Sequence, residues 1–276
     1  MSVSIALFQS TTGIDPVANA DALVAAVGEA AAGGAAMLFT PEMSGLLDRD
    51  SSRARASLSA ESADRVLARC RDAAREKGIW VHLGSLAVLA EGGKVANRAF
   101  VIDPAGEVKA RYDKMHLFDV DLPTGESWRE SATYSAGGEA VVVDDTPLGK
   151  LGLTICYDVR FPGLFARLAE AGAEAIAVPA AFTVPTGEAH WHVLLRARAI
   201  EAGLFVIAAA QVGAHADGRR TYGHSLVVDP WGEILLDMGE QAGVGFAAID
   251  PRRIAEVRSR LPALSHRRPI PDAVTL

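Results

Sequence analysis

The sequence predicts an α/β fold, in which β-strands alternate with helices along the chain. Short β-rich runs, such as VSIALFQ at residues 3–9, are separated by alanine-rich segments with helical periodicity, such as residues 62–78. Two Asp-Pro turn signals, DPAG at 103–106 and DPWGEI at 229–234, each predict a hairpin. No linker-like stretch divides the chain, so we expect a single domain over residues 1–276.

The apolar pattern predicts the elements of the first half. Helices are expected at residues 19–34 and 62–78. Strands are expected at residues 3–9, 35–40 and 79–89 and on both sides of the DPAG turn. The segment from Tyr112 to Gly138 shows neither period, so we expect irregular structure there.

The alternation resumes in the second half. Strands are expected at AVVVDD, KLGLTIC, EAIAVPAAF and LFVIAAAQ, and helices at residues 162–171, about 188–202 and 251–260. A weak internal echo links AAAGGAAMLFTPE with LAEAGAEAIAVPAA, which predicts two related halves packed together. The proline-rich segment at about 261–276 is either an arm across a partner subunit or the domain surface, or a disordered end.

Composition narrows the class of partner. A chain of 276 residues can bury about three quarters of its unfolded surface. The net charge of −7 and the absence of any basic run argue against nucleic acid or an anionic membrane as the partner. The longest charge-free apolar stretch is too short to span a bilayer, and the first residues lack a basic signal-peptide region. With only two cysteines, far apart in sequence, we expect a cytoplasmic protein.

The two cysteines occupy different contexts. Cys70 falls on the apolar face of a predicted helix, where a thiol acts as a small core hydrophobe. Cys156 ends the apolar run LGLTI, and polar residues follow at once. Ligands bind at the carboxyl ends of strands in α/β sheets, yet a buried strand-end cysteine is an equally good interpretation of this position. A nucleophilic thiol also needs a base or a cation, because its ordinary pKa is about 8.5 and only the thiolate attacks.

The search for that base favours carboxylates over histidines. No GxSxG elbow occurs, and the HWH at 190–192 lacks the spaced companions of a zinc motif, so we expect no metal. Glu42 directly follows a predicted strand, although a glutamate at a helix N-terminus would be placed similarly. Lys114 in a mixed loop and Glu130 in SWRESATY would each, taken alone, be ordinary surface residues.

Taken together, three separated segments resemble the nitrilase superfamily of carbon–nitrogen hydrolases. They are LFTPEMS around Glu42, RYDKMHLFDVD around Lys114 and LTICYDVRFP around Cys156, in the order that this family uses. Glu130 matches a further acid of the family, and the resemblance covers essentially the whole chain. It implies a four-layer αββα sandwich of two mixed sheets flanked by helices. It also implies a homodimer or larger homo-oligomer, commonly with an exchanged C-terminal arm, and no metal or organic cofactor.

The resemblance also implies a reaction and a role for each residue. Cys156 would attack an amide carbonyl to form a thioester, with Glu42 as the general base. Lys114 would stabilise the oxyanion, and Glu130 would orient Lys114 and the substrate. The backbone N–H of Tyr157 would be a second donor to the oxyanion.

Three further segments are similar to one branch of the superfamily, which contains amidases of deaminated glutathione and ω-amidases. They are TGEAHWHVLLRARAIEAGLFVIAAAQVG, GRRTYGHSLVVDPWGEI and LPALSHRRP. The branch implies a small anionic amide, cleaved in the first case to 2-oxoglutarate and Cys-Gly. The alternatives are α-ketoglutaramate or α-ketosuccinamate, then an N-carbamoyl amino acid, with a true nitrilase less favoured. A non-catalytic subunit built on the same fold is the alternative from another class.

An anionic substrate requires cations in the pocket. Arg160 matches the family's RFP and is a candidate, although it could equally pair with Asp158 alone. Phe182 and Thr183, after the VPAAF strand, are expected to line the pocket.

Three residues of the predicted helix near 188–202 are not expected to take part in catalysis. Arg196 and Arg198 are expected to be structural ion-pair partners. His192 stands where this branch is expected to carry a glutamate. We therefore expect contacts around the site, and the choice of substrate, to differ here, while the catalytic residues are unaffected.

Overall fold

The computed structural model describes residues 2–121, 125 and 127–275. The helices are α1 (Pro16–Ala32), α2 (Ser51–Ser57), α3 (Arg65–Lys77), α4 (Pro162–Glu170), α5 (Val184–Ala202) and α6 (Arg252–Arg260). The strands of the first half are β1 (Val3–Gln9), β2 (Met37–Phe39), β3 (Trp80–Leu89), β4 (Val95–Ile102), β5 (Val108–Asp113), β6 (Asp119–Asp121), β7 (Ser127–Arg129) and β8 (Tyr134–Ser135). Those of the second half are β9 (Val142–Thr146), β10 (Gly149–Leu153), β11 (Ala175–Ala177), β12 (Phe205–Ala208), β13 (Val212–Ala214), β14 (Arg220–Tyr222), β15 (Leu226–Val228), β16 (Ile234–Asp237) and β17 (Gly243–Ile249).

Most strands form two large mixed sheets. The first has the order β17-β1-β2-β3-β4-β5, with β8 paired to β4. The second has the order β16-β15-β12-β11-β10-β9. Each contains three parallel strands in sequence, β1-β2-β3 or β10-β11-β12, followed by two antiparallel strands that form a hairpin. The two halves thus repeat one topology, which confirms the internal echo in the sequence.

The hairpin turns repeat down to their hydrogen bonds. Asp103 Oδ1 accepts hydrogen bonds from the backbone N–H groups two and four residues later, both at 2.9 Å. Asp229 Oδ1 does the same at 2.8 Å. Gly106 and Gly232 occupy equivalent places with φ of +77° and +87°, a conformation that glycine adopts without strain. The two DPxG signals therefore predicted the same turn correctly.

Side chains alternate between two apolar layers along each strand. In β1, Ile5 and Leu7 pack in one core with Leu153 of β10, between the two sheets. Ala6 points the other way and packs with residues of α1 and α3, such as Leu23. Helices α4 and α5 cover the second sheet, where Trp191 is fully buried. The α/β prediction and its αββα sandwich are confirmed.

The structure differs from the predicted elements mainly near the loops. Helix α5 begins at Val184, about four residues earlier than expected, because Pro185 is favoured in a first helical turn. Strand β10 ends at Leu153, and Cys156 instead opens a 3-10 turn, Cys156–Arg160. The segment predicted to be irregular contains the short pair β6 and β7, while residues 122–124 and 126 lie outside the described residues.

The described part of the C-terminal segment, residues 261–275, contains neither helix nor strand and is largely exposed. Arg267 attaches it to α4 through the carbonyl oxygen of Ala166 at 3.2 Å and Glu170 Oε1 at 3.1 Å. Its predicted role as an intersubunit arm stays a prediction. In the described part of the chain, no helix combines the length and apolar character needed to cross a membrane.

Candidate active site

A cavity of about 530 Å³ opens where β2, β10 and β11 end. Its lining includes all the candidate site residues, namely Glu42, Lys114, Glu130, Cys156, Tyr157, Arg160, Phe182 and Thr183. These residues come from segments far apart in sequence, so it is the pairing of the two halves that assembles them.

Glu42 lies in the turn after β2, against a bulge in β3. A Cβ on Gly84 in that bulge would lie 2.0 Å from the carbonyl oxygen of Thr40, so only glycine permits this close approach. The next residue of the bulge, Ser85, accepts a hydrogen bond on Oγ from the N–H of Met43 at 2.8 Å. The bulge thereby fixes the turn that presents Glu42.

The carboxylate of Glu42 is buried and accepts hydrogen bonds on both oxygens. Oε1 accepts from Lys114 Nζ and from Asn97 Nδ2, each at 3.0 Å. Oε2 accepts from the backbone N–H of Ala181 at 2.9 Å. The thiol of Cys156 lies beside this carboxylate and contributes to lowering its pKa. Glu42 is therefore in contact with both the cation and the thiol of the site.

Lys114 is held between two carboxylates. Its side chain is 2% exposed, and Nζ lies 2.8 Å from Glu130 Oε2 and 3.0 Å from Glu42 Oε1. Glu130 Oε2 also accepts from the backbone N–H of Phe118 at 2.7 Å, which fixes the loop after Lys114. Asn97 Nδ2 lies 3.3 Å from Glu130 Oε1 as well, and so joins both carboxylates. These contacts give the ammonium group one position.

Cys156 is presented by a turn in a restricted conformation. Its φ is +50°, which is uncommon for a residue other than glycine, and its N–H donates to the carbonyl oxygen of Pro179 at 2.8 Å. Tyr157 follows in a 3-10 turn whose leading N–H groups have no acceptors within the turn itself. The backbone N–H of Tyr157 is therefore suited to donate to an oxyanion beside the thiol.

The charges of the site stabilise each other. Burial alone would raise the pKa of Glu42, but the charge of Lys114 and hydrogen bonds from Cys156, Lys114 and Asn97 bring it below its ordinary 4.5. Burial would lower the pKa of Lys114, but the charges of Glu130 and Glu42 raise it well above 10.5. At neutral pH the site therefore holds an ionised glutamate next to an ionised lysine.

Burial keeps both cysteine thiols protonated, but their surroundings differ. Burial, and then the negative charge of Glu42, raise the pKa of Cys156 well above 9.0. Burial in the helix-packed core raises the pKa of Cys70 to about 12. Cys156 has the carboxylate of Glu42 beside it to take its proton, so the arrangement suits general-base activation rather than a preformed thiolate. Cys70 is a core residue, as predicted.

Arg160 does not pair with Asp158. The carboxylate of Asp158 is fully buried and bonded elsewhere, whereas Arg160 lies 3.3 Å from His190 Nδ1 through both Nη atoms. Its guanidinium carbon lies 5.4 Å from the centre of the Phe182 ring and 5.9 Å from that of Tyr157. The alternative that Arg160 serves only Asp158 is therefore wrong, and its guanidinium lines the cavity.

Arg196 and Arg198 of α5 lie outside the cavity lining. Arg198 forms the expected ion pair, with Glu201 at 2.8 Å. Arg196 instead donates to the carbonyl oxygen of Gly232 at 2.8 Å, so the expected ion pair is wrong for this residue.

His192 lies away from the catalytic residues, in a cluster with two partners distant in sequence. His192 Nε2 lies 3.0 Å from Asp237 Oδ2, and His224 Nδ1 lies 2.9 Å from Asp237 Oδ1. Two imidazoles and a carboxylate are a donor set that binds zinc, so the fold supplies companions that the sequence motif lacked. The expected effect of His192 on substrate choice does not follow from direct contact with the cavity.

The sequence did not single out Asn97 or Tyr112. Asn97 is 1% exposed and contacts both carboxylates of the site, and Tyr112 Oη donates to Asp158 at 2.7 Å. The available signal was Asn97 itself, an amide within the otherwise apolar start of β4. Tyr112 gave no such signal, because a buried tyrosine is common in a strand.

Residues 4–259 match the carbon-nitrogen hydrolase family. The chain belongs to this family. The predicted family, fold class and enzyme class are thereby confirmed, and the match spans every candidate site residue.

Several relatives are named for one activity. A deaminated glutathione amidase of Yersinia enterocolitica is 46% identical over 201 residues, which cover 72% of this chain and 70% of the relative. The deaminated glutathione amidase of Bos taurus is 40% identical over 269 residues, covering 96% and 82%.

Solved structures show the same fold. The Caenorhabditis elegans NitFhit protein aligns with a TM-score of 0.89 and 38% identity, covering 97% of this chain and 65% of that chain. A mutant of the Nesterenkonia sp. AN1 amidase aligns with a TM-score of 0.80 and 29% identity, covering 96% and 94%. That structure shows covalent addition of the acetamide moiety of fluoroacetamide at the active-site cysteine.

Proposed function

We propose that this carbon–nitrogen hydrolase is a thiol amidase that cleaves deaminated glutathione to 2-oxoglutarate and Cys-Gly. The observation that carries the proposal is the contact of one buried carboxylate, Glu42, with both Lys114 and the thiol of Cys156. A protonated thiol beside an ionised carboxylate is the starting state that general-base catalysis requires.

Acylation follows from this starting state. Glu42 removes the thiol proton as Cys156 Sγ attacks the amide carbon, and a C–S bond forms. The negative charge on the carbonyl oxygen is stabilised by Lys114 and the N–H of Tyr157, an effect of about 3 to 4 kcal/mol for comparable oxyanion donors. The tetrahedral intermediate collapses with cleavage of the C–N bond, and Glu42 returns the proton to the departing amine.

Deacylation uses the same groups. Water enters where the amine left, gives a proton to Glu42, and attacks the thioester carbon. The second tetrahedral intermediate releases the carboxylic acid, and the proton returns to the sulfur of Cys156. Glu130 does not react in either half; it holds Lys114 through both of its oxygens, at 2.8 and 3.1 Å.

The proposed substrate rests on the relatives and on the charge of the cavity. Relatives named deaminated glutathione amidase reach 96% coverage of this chain. The cavity is lined by Arg49, Arg160, Arg219 and Arg220, although the protein carries a net charge of −7. A concentration of guanidinium groups in an acidic protein favours an anionic substrate.

A release assay tests the substrate. Purified enzyme is given deaminated glutathione or α-ketoglutaramate, and the released Cys-Gly and ammonia are measured separately. We expect Cys-Gly release at the higher kcat/KM. Ammonia release without Cys-Gly release would replace the proposed substrate with that of an ω-amidase, the second candidate. An N-carbamoyl amino acid would be the third substrate to try.

Loss of all activity in Cys156→Ala distinguishes the enzyme from a non-catalytic subunit of the same fold. If the wild-type protein hydrolyses no amide in a broad panel, the subunit hypothesis gains support. Activity that persists in Cys156→Ala would refute the assigned nucleophile.

We further propose that residues 1–276 form a single domain and that the protein is a cytoplasmic homodimer or larger homo-oligomer. Large apolar side chains stay exposed on the outer side of α5 and the adjacent β15–β16 turn, with Val193 68% and Trp231 51% exposed. Association of two copies over this face would remove them from water. Light scattering on the wild type and on Val193→Glu tests the assembly, with a smaller mass expected for the variant.

A further inference from the structure

The mouth of the catalytic cavity carries an aromatic and cationic group of residues that the chemical steps do not use. The guanidinium carbon of Arg49 lies 4.7 Å from the centre of the Trp128 ring, and that of Arg219 lies 5.1 Å from it. Arg220, the next residue, also lines the cavity. Together Arg49, Trp128, Arg219 and Arg220 are called the mouth cluster below.

The mouth cluster has a surplus of positive charge. Arg219 Nε is paired with the buried carboxylate of Asp217 at 2.7 Å, and Asp48, which also lines the cavity, is paired with Arg53. Neither Arg49 nor Arg220 has a carboxylate within ion-pair distance among the described residues. These two guanidinium groups thus have no carboxylate partner there, and guanidinium is the side chain best matched to a carboxylate.

Trp128 adds a hydrogen-bond donor without an acceptor. Its indole Nε1 is buried and has no hydrogen-bond partner among the described residues. Buried donors are almost always satisfied in folded proteins, so this N–H is suited to a bound acceptor. It belongs to the ring that Arg49 and Arg219 flank, so this donor lies in the same cluster as their guanidinium groups.

A path of aromatic rings connects the mouth cluster to the nucleophile. The ring centres of Trp128 and Phe118 are 6.3 Å apart, and those of Phe118 and Tyr157 are 5.0 Å apart. Tyr157 directly follows Cys156. Two extended residues span about 7 Å. A dipeptide leaving group whose amide lies at the thiol therefore extends along this path toward the mouth cluster.

We propose that the mouth cluster is a carboxylate subsite for the leaving amine, so that the enzyme selects amides whose leaving group is a short peptide with a free C-terminus. The proposal rests on the amidase function above and deepens it. Arg160 contacts the rings of Tyr157 and Phe182 rather than Trp128, which leaves it available for the carboxylate of the acyl part.

Three substrates distinguish binding of the acyl part from binding of the leaving group. They are deaminated glutathione, the same compound with its C-terminal glycine as the carboxamide, and α-ketoglutaramate, which keeps the acyl part but releases ammonia. For the wild type we expect a KM about tenfold higher for the carboxamide than for the free acid, as for loss of one charge-assisted contact. The values of kcat should agree within about twofold, because the subsite binds the ground state and the transition state equally.

The Arg49→Gln/Arg220→Gln variant tests the residues. We expect its KM for deaminated glutathione to rise about tenfold, with no change for the carboxamide or for α-ketoglutaramate. Trp128→Phe keeps an aromatic side chain but removes the N–H, and should raise the same KM about threefold. Arg252→Gln, a strongly exposed arginine paired with Asp250, is the matched control and should change none of the values.

The outcomes separate this proposal from the proposed function. Equal wild-type KM values for the free acid and the carboxamide would overturn the subsite while leaving the amidase intact. A double variant that shifts all three KM values alike would also overturn it. Hydrolysis of α-ketoglutaramate without hydrolysis of deaminated glutathione would overturn both the proposed substrate and the subsite, and no hydrolysis at all would overturn the amidase itself.

Discussion

The buried carboxylate of Asp158 accepts a hydrogen bond from the backbone N–H of Ile155 at 2.8 Å, and so holds the residue that precedes the nucleophile. The same carboxylate accepts hydrogen bonds from Tyr112 Oη at 2.7 Å and from the backbone N–H of His116 at 3.0 Å. His116 lies two residues after Lys114. One carboxylate therefore fixes both the turn that presents Cys156 and the loop that presents the lysine.

Asp158→Asn should damage both the geometry and the stability of the protein. The asparagine side chain has only one acceptor oxygen. Its NH₂ group would face at least one of the donors that the two carboxylate oxygens now accept from, and that hydrogen bond would be lost. We expect a loss of about 1–3 kcal/mol in the free energy of unfolding and a fall in kcat of about a hundredfold. Tyr112→Phe removes one donor to Asp158 and the acceptor of the Met115 N–H, and should have a smaller effect on both. Urea unfolding and kcat for each variant provide the measurement, and an unchanged kcat in Asp158→Asn would contradict the positioning role.

The pH profile of the reaction should reflect Glu42 rather than an ordinary thiol. The pKa of Glu42 lies below its ordinary 4.5, so the carboxylate stays ionised until the pH falls below that value. The acid limb of kcat/KM is therefore expected below pH 4.5. A rise in activity with a midpoint well above pH 9.0 would instead indicate that ionisation of the Cys156 thiol limits the reaction.

The same shifts predict the pH range over which the site stabilises the fold. The lowered pKa of Glu42 contributes stability above pH 4.5 that is lost as pH falls through the folded-state value. The raised pKa of Lys114 contributes stability below pH 10.5 that is lost as pH rises through its folded-state value. The free energy of unfolding of Lys114→Gln, measured against pH, should be lower than that of the wild type between pH 4.5 and 10.5, because the ion pair with Glu42 is missing.

Lys114→Gln should unfold more easily because it leaves two carboxylates without their cation. Removing one partner of a buried ion pair costs about 3–5 kcal/mol. Lys114→Gln/Glu130→Gln removes one of those carboxylates and should recover part of the loss, yet neither variant should hydrolyse amides. Lys150→Gln breaks an exposed pair with Asp144 and is the control, expected to change stability by at most about 1 kcal/mol. Equal stability of Lys114→Gln and the wild type would contradict the buried network.

Replacing each of the two cysteines by alanine should have a different effect on stability and activity. Cys70→Ala leaves a small gap among α1, α3 and the first sheet, so we expect a loss of about 1 kcal/mol in stability and unchanged kcat. Cys156→Ala should fold normally and show no turnover. Loss of activity in Cys70→Ala without loss of fold would show that the assignment of the nucleophile is incomplete.

The sequence predicted the elements and the catalytic residues for different reasons. Alternating patterns located most strands and helices because each apolar face has a layer to pack against, as with Ile5 and Ala6 in β1. Glu42, Lys114 and Cys156 had no such pattern, and only their resemblance to a known family brought them together. Their contact depends on the packing of the two sheets, which no spacing along the chain encodes.

What the sequence missed depended on contacts between distant segments. Asn97 matters because it meets Glu42 and Glu130, and neither lies near it in sequence. His192 of the HWH motif gains its companions, His224 and Asp237, only through the fold, whereas His190 of the motif contacts Arg160. The mouth cluster likewise joins Arg49 of the first half to Arg219 of the second around one indole ring. Each case is a tertiary contact without a local signal.

The acyl-enzyme is the most direct test of the central claim, that Cys156 attacks the amide and Glu42 accepts its proton. Wild-type enzyme and Glu42→Gln are mixed with deaminated glutathione, quenched in acid at short times, and analysed by mass spectrometry of the intact and digested protein. We expect a 2-oxoglutaryl adduct on the peptide that contains Cys156 in the wild type, greatly slowed formation in Glu42→Gln, and none in Cys156→Ala. Turnover without any adduct on Cys156, or an adduct on Cys70, would contradict the account.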